Sequence, residues 1–201
     1  MFSIIEAANF AAEAHKDQRR KGDLSPYINH PIGVANIIQK HACLHPEDNT
    51  TPIILQAALL HDTVEDTDVT IDEIKKVFGG NVARYVANVT DDKSQDKVTR
   101  KKTQIEHAKT MDRGTAIIKL ADKYYNCSDL MITPPKSWTP DIIYGYFVWT
   151  RAFIENLPQN VKDIYGIRAL TRLHEELWKE NNITFPDDLN EELQKYYALI
   201  Q

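Results

Sequence analysis

The sequence predicts an all-α fold, on three observations. Only 7 glycines occur in 201 residues, and no Asn-Gly or Asp-Gly pair sits between alternating apolar runs, so the hairpin signal is nearly absent. Apolar residues recur instead at three- and four-residue steps along almost the whole chain. Prolines and polar pairs cut that periodicity into segments of helical length. The expectation is one all-α domain of about ten helices.

Ile4, Ile5, Ala8 and Ala12 place an amphipathic helix over residues 2–17. Residues 18–30, with Gly22, Ser25 and Pro26 among charges, read as a loop. Pro31 suits the first turn of a helix over 31–43, where its missing N–H costs nothing, and is expected to hold His30 extended before it. His45-Pro46-Glu47-Asp48-Asn49-Thr50 is a polar break, and Pro52 opens a third helix running through Leu60 towards Glu65. Thr70 and Glu73 have capping-box spacing, for a short helix ending near Gly79-Gly80. Segments 81–90, 98–111, 115–131, 140–156 and 159–181 read as further helices, broken at Asp91-Asp92, Gly114, Pro134-Pro135 and Pro158. The stretch 187–200 starts acidic, ends in Tyr196-Tyr197 and suits a terminal helix.

Composition excludes several classes. With 42% hydrophobic and 26% charged residues the chain is an ordinary soluble globular protein, and a chain of this length buries about 70% of its unfolded surface without staples. Two cysteines, Cys43 and Cys127, outside any CxxC pairing, speak against a disulfide scaffold or cysteine zinc site and suit a reducing compartment. A net charge of −5 disfavours a general nucleic-acid binder, while a local basic patch can still hold an anion. No 18-residue apolar run spans a membrane, and Met1–Glu6 lacks a basic leader, so the expected location is cytoplasmic.

The most informative stretch is Leu60-His61-Asp62-Thr63-Val64-Glu65-Asp66-Thr67, at the end of the apolar helix Ile53–Leu60. Burying four ionisable groups there is costly unless something pairs with them. On a continuous helix His61 and Glu65 share a face, as do Asp62 and Asp66, their Cβ atoms about 6 Å apart. One imidazole and three carboxylates converging suit a divalent cation and an activated water. Taken alone, a His-Asp pair is more often a solvated helix end. Two other places add to it: Tyr27-Ile28-Asn29-His30-Pro31, and Lys119-Leu120-Ala121-Asp122-Lys123, where an aspartate sits inside a buried-looking helix with Asn126 one turn on.

His30, His61-Asp62 and Asp122 together resemble the H…HD…D set of the HD-domain phosphohydrolases, which implies an HD-domain helical bundle. With Val89-Thr90-Asp91-Asp92-Lys93, these words resemble the hydrolase domain of RelA/SpoT homologues, and most nearly the stand-alone small alarmone hydrolases of the Mesh1 type. The resemblance covers residues 3–157 closely, weakens to about 183 and offers no counterpart for the last eighteen. It implies a hydrolase domain over 1–183, with 184–201 a helical extension of the same domain.

The resemblance also implies the residue roles. His30, His61, Asp62 and Asp122 would hold one divalent ion; two imidazoles with two carboxylates suit manganese, iron or zinc better than calcium, and the family favours Mn2+. Glu65 would orient or deprotonate the attacking water and Asp66 help position water or proton. Arg20 and Lys21 would flank the purine, the guanidinium plane stacking on it. Lys97 would lie near phosphates, Asn126 would bond the sugar or its phosphate, and Tyr146 matches the family's substrate tyrosine. Arg100, Lys101 and Lys102 read as a solvated helix face, Phe147 and Trp149 as core, and Cys127 as a buried hydrophobe. Ser128 departs from the pattern, standing where related hydrolases commonly carry arginine.

The implied reaction is hydrolysis of the 3′-pyrophosphate of guanosine-3′,5′-bis(diphosphate) (ppGpp or pppGpp) to GDP or GTP and pyrophosphate. The implied partner is that alarmone, with no nucleic acid and no membrane; a homo-oligomer stays open. Two alternatives stand beside it. One is an HD phosphohydrolase acting on another nucleotide, such as a deoxynucleotide or a ribose phosphate of a dinucleotide cofactor. The other is a catalytically inactive nucleotide-binding regulatory domain, whose expected mark is a broken metal or Glu-Asp set.

Overall fold

The computed structural model describes residues 3–42 and 49–201. Cys43 and the part of the polar break at 45–48 lie outside these, as do the outermost residues, 2 and 43, of the first two helices read from sequence. Twelve helical segments follow in order: α1 Ile4–Ala14, α2 Asn29–His41, α3 Thr50–Leu60, α4 Thr63–Asp66, α5 Ile71–Phe78, α6 Gly80–Val89, α7 Lys97–Ala108, α8 Arg113–Ile132, α9 Pro140–Glu155, α10 Gln159–Lys162, α11 Tyr165–Glu180 and α12 Asn190–Leu199. Two are single turns, α4 and α10. Among the described residues no strand forms, only an isolated bridge between Arg19 and Pro26. No described helix is long and apolar enough to cross a membrane.

Side-chain caps explain five of the helix starts. Ser3 and Glu6 form a capping box at α1, Thr70 and Glu73 another at α5, and α5 ends at Gly79 with φ 91°. The side chains of Asp96, Asp112 and Thr139 accept from backbone N–H groups three residues on and open α7, α8 and α9.

The structure corrects the sequence reading in several places. Gly114, read as a break, lies in the first turn of α8, because Asp112 caps the helix ahead of it. His30 is helical, not extended: α2 begins at Asn29, and the His30 N–H donates to Tyr27 O at 2.9 Å. In a first helical turn the amide that proline lacks has no partner to lose, so the pre-proline preference is outweighed. The segment 159–181 is two helices, because Ile164 is extended between α10 and α11; one such residue leaves apolar periodicity undisturbed. The third helix starts at Thr50 and stops at Leu60 without reaching Glu65. There the Thr63 hydroxyl donates to Leu60 O and His61 Nδ1–H to Ala58 O, both at 2.7 Å, taking carbonyls that would otherwise accept helical N–H groups.

α8 is the axis of the molecule, packed against α2, α3, α6, α9 and α11. Its stretch Gly114–Ala121 is buried on every side, as an interior helix must be. α2 approaches it closely because position 33 is glycine: a Cβ there would lie 2.1 Å from Tyr125 Cε2. α11 packs on α8 through His174, fully buried, whose Nε2–H donates to Leu120 O at 3.0 Å.

Burial pushes the His174 pKa down to about 4, since Nδ1 has no hydrogen-bond partner to steady a second proton. Its folded pKa lies below the unfolded value near 6.5, so the neutral ring's contribution is complete above that value. It is lost as pH falls towards 4, by about 3 kcal/mol in all. His174→Gln keeps a donor for Leu120 O and removes the titration. In urea unfolding from pH 7 to 4 the variant should lose less stability than the parent; parallel curves would contradict this.

Candidate metal centre and substrate cleft

Three helical elements bring the sequence-predicted ligands to one point. His30 comes from the first turn of α2, His61 and Asp62 from the break between α3 and α4, and Asp122 from mid-α8. Successive residues on one helix point about 100° apart; the break at Asp62 lets His61 and Asp62 face a common centre. His30 Nε2 lies 3.1 Å from Asp122 Oδ1 and 3.4 Å from Asp62 Oδ2; His61 Nε2 lies 3.1 Å from Asp62 Oδ2 and 3.7 Å from Asp122 Oδ1. The ligand atoms of His30, His61 and Asp122 all lie within 4.8 Å of one another.

The orientation fits a divalent cation. Buried His61 Nε2 makes no directed hydrogen bond despite the carboxylate 3.1 Å away. That nitrogen is left open among the candidate ligand atoms. With Nδ1 donating to Ala58 O, the free lone pair falls on Nε2, the arrangement metal-binding histidines use. Tyr27 Oη donates to Asp62 Oδ2 at 2.7 Å and steadies that carboxylate.

Electrostatics agree. Burial alone would disfavour the His61 imidazolium, yet the nearby charges of Asp62 and Asp122 hold its pKa well above the usual value. Burial likewise opposes ionisation of Asp62 and Asp122, and the two imidazoles overcome it, keeping both well below the carboxylate range. Without a cation, protons supply the positive charge the carboxylates demand.

Glu65 and Asp66 stand beside this centre on α4. They do not share a continuous helix with His61 and Asp62, the arrangement expected from sequence, because α3 has ended. Glu65 Oε2 accepts from the Asp91 N–H at 3.0 Å, with Arg100 Nη1 3.8 Å from Oε1. Burial raises its pKa, helped by the charges of Asp91 and Asp62. Asp66 pairs with Lys93.

All these groups line one cleft of about 860 Å³, together with Arg20, Lys21, Lys97, Asn126 and Tyr146. Arg20 Nη2 bonds Asp129 Oδ2 at 2.6 Å and Asn126 Oδ1 at 3.1 Å, with its guanidinium beside the rings of Tyr27 and Tyr125. Asn126 Nδ2 donates to Asp122 Oδ1 at 2.7 Å. Lys21 and Lys97 are exposed at the rim and Tyr146 is buried in the wall. Ser128, at the departure from the family pattern, bonds its own helix at Tyr124 O. Cys127 is buried, and burial pushes its thiol up to about 12.

Sequence reasoning missed the floor. Arg100 and Lys101 turn into the cleft instead of forming a solvated face, and Lys119 and Lys123 join them. Lys101 Nζ sits 3.4 Å from the Trp149 ring centre and Lys123 Nζ 3.7 Å from it. Lys123 donates to Gln104 Oε1, Gln104 bonds Asp91, and Asp91 pairs with Lys119. Burial pushes the Lys101 pKa down to about 7. Spacing hinted at this: Lys101 and Gln104 are one turn apart on α7, as are Lys119 and Lys123 on α8.

The family model described as HD domain matches residues 7–138. Human guanosine-3′,5′-bis(diphosphate) 3′-pyrophosphohydrolase MESH1 is 44% identical over 183 residues, covering 90% of this chain and 96% of that protein. The protein of that description from Xenopus tropicalis is 48% identical over 155 residues, covering 77% of this chain and 84% of that one. A solved structure described as a metazoan ortholog of SpoT that hydrolyzes ppGpp and plays a role in starvation responses superposes with TM-score 0.80 at 37% identity, covering 90% and 96% of the two chains.

Because His61 holds its proton strongly until a cation replaces it, metal uptake should release protons, and affinity should rise with pH. Calorimetric titration of Mn2+ into the metal-free protein, in buffers of differing ionisation enthalpy, should show that release at pH 7; buffer-independent heats would contradict it.

Proposed function

The chain belongs to the HD-domain family, and from that premise we propose that it is a metal-dependent guanosine-3′,5′-bis(diphosphate) 3′-pyrophosphohydrolase, releasing GDP or GTP and pyrophosphate. The observation that carries this reading is one cleft in which the ligand atoms of His30, His61 and Asp122 converge within 4.8 Å, Asp62 lies against both imidazoles, Glu65 and Asp66 stand beside them, and lysines line the same cleft. The high identity to the MESH1 proteins over most of both chains supports the substrate.

His30, His61, Asp62 and Asp122 hold the divalent ion. The mixed nitrogen and oxygen donors favour Mn2+ over harder ions, although zinc and iron suit the same set. When bound, such an ion supplies Lewis-acid polarisation of a phosphoryl oxygen and makes water more acidic. Glu65 takes the proton of the attacking water: its carboxyl is raised towards neutrality, where a general base works best. Asp66, anchored by Lys93, positions that water. Tyr27 keeps its phenolic proton, because burial and the Asp62 charge oppose ionisation, and so orients Asp62 throughout.

Lys97, Arg100 and Lys101 supply charge to the diphosphate groups. Arg20, clamped by Asp129 and Asn126, presents its guanidinium face to the purine with Lys21 beside it, while Asn126 reaches the ribose and Tyr146 packs on the nucleoside. Residues 1–183 form the hydrolase domain and 184–201 an extension of it, a reading supported by the packing of α12 on α9. The same reading puts the enzyme in the cytoplasm, where buried Cys127 stays a thiol.

A pyrophosphate-release assay tests the whole reading. Metal-free protein should leave ppGpp intact, and manganese, among manganese, zinc, iron and magnesium, should restore turnover best. Release of inorganic phosphate from a dinucleotide ribose phosphate, with ppGpp untouched, would overturn the substrate. Glu65→Gln should lower kcat by roughly 10²–10⁴-fold with metal content unchanged. His61→Ala should lose both activity and metal while circular dichroism keeps its helical signal; full turnover by His61→Ala would overturn the metal set.

A further inference from the structure

The segment for which the family resemblance offers no counterpart reaches the cleft. It runs back along α9: Tyr144 Oη donates to Thr184 O at 3.1 Å, and the Tyr144 ring stacks on Phe185. Leu189 packs with Val148 and Ala152 of α9. α12 then lays Tyr196 across Gly145, where a Cβ would lie 2.4 Å from Tyr196 Cδ2, so only glycine admits the ring. Tyr196 and Tyr197 are almost wholly buried, and Lys102 Nζ lies 5.1 Å from the Tyr197 ring centre. The helix is thereby held between α9 and α7, and its end, with Tyr196, Leu199 and Ile200, lines the cleft that contains the metal ligands.

The chemistry of this wall differs from the rest. The metal ligands, the Glu-Asp pair and the lysine floor carry charge. The side chains of Trp138, Ile142, Tyr146, Tyr196, Leu199 and Ile200 carry no charge of their own, and Lys101 Nζ meets this side at Tyr146, 4.6 Å from the ring centre. Trp138 and Tyr146 lie side by side along it, ring centres 5.9 Å apart, and Trp149, which bears the lysines, continues from Tyr146 at 5.3 Å. A nucleotide divides the same way, into phosphates that need cations and a heteroaromatic base that gains from stacking and apolar burial. Phosphates on the uncharged wall would lose hydration without a partner.

We propose that α12 completes a base-recognition wall, on which Tyr196, Leu199 and Ile200 extend the surface of Trp138, Ile142 and Tyr146 to receive the purine end of the substrate. The inference rests on reading the cleft as a nucleotide site and adds to it a specificity element from residues 184–201. Tyr196 acts by position, backing Tyr146 across Gly145. Leu199, 47% exposed at the rim, offers apolar surface that a bound base covers.

The test uses the full chain loaded with Mn2+ and two probes, GDP and inorganic pyrophosphate, followed through the fluorescence of Trp138 and Trp149. Leu199→Ala combined with Ile200→Ala removes the apolar end of the wall at positions where loss of folding is not expected. GDP affinity should fall about tenfold, the scale of losing a few methylene contacts in a binding pocket. Pyrophosphate, which has no base, should bind as before. With ppGpp, KM should rise by a similar factor and kcat should hold. Unchanged GDP affinity in the double variant, or an equal loss for GDP and pyrophosphate, overturns the proposal. If the parent binds GDP with this pattern yet leaves ppGpp intact, the hydrolase reading fails and the wall stands.

Discussion

Two aspartates, Asp62 and Asp122, are brought among buried groups at the centre of the molecule, and the rest of the arrangement answers the cost of placing them there. Neither carboxylate tolerates that environment without positive charge close by. His61 supplies it in its charged form, which the carboxylates favour, with the His30 ring beside both of them, or a cation supplies it through the same nitrogens. Tyr27 satisfies a remaining lone pair of Asp62, and Asn126 one of Asp122. Each partner comes from a different part of the chain, so the loop before α2, the break after α3 and the middle of α8 must meet. Gly33 permits the α2–α8 approach, and His174 ties α11 to the carbonyl of Leu120, two residues before Asp122.

The same electrostatic logic explains the cleft floor. Lys101, Lys119 and Lys123 are drawn together where burial opposes charge, and Lys123 is depressed well below its usual pKa by burial and by its neighbours. Trp149 offers its ring face to Lys101 and Lys123, Gln104 links Lys123 to Asp91, and Asp91 pairs with Lys119. An anion brought beside these amines would favour their charged forms, which burial otherwise opposes. That suits a substrate carrying two diphosphates, and it is invisible in the net charge of −5.

How much of this was legible follows from the kind of signal each feature leaves. Helices declare themselves through periodicity and caps, which are local, so the all-α class and the boundaries at Thr70, Asp96 and Thr139 lie within reach of the sequence. The breaks at Asp62 and Ile164 do not, because each turns on one residue's backbone angles. The orientation of Arg100 and Lys101 is equally opaque: basic residues in a polar helix look solvated until α8 and α9 are set against them.

The sequence by itself determined which groups are candidates for the chemistry, since the identities of His30, His61, Asp62, Asp122, Glu65 and Asp66, in order and in recognisable words, are covalent facts. It also determined the helical class, because hydrogen bonding within a helix and the pattern of its apolar face are local. Only the tertiary structure decided which groups share the cleft with them: the lysines above Trp149, Tyr27 on Asp62, and α12 across Gly145. Those contacts join residues about 25 to 50 positions apart. Their energies depend on burial and on distances that no local pattern encodes.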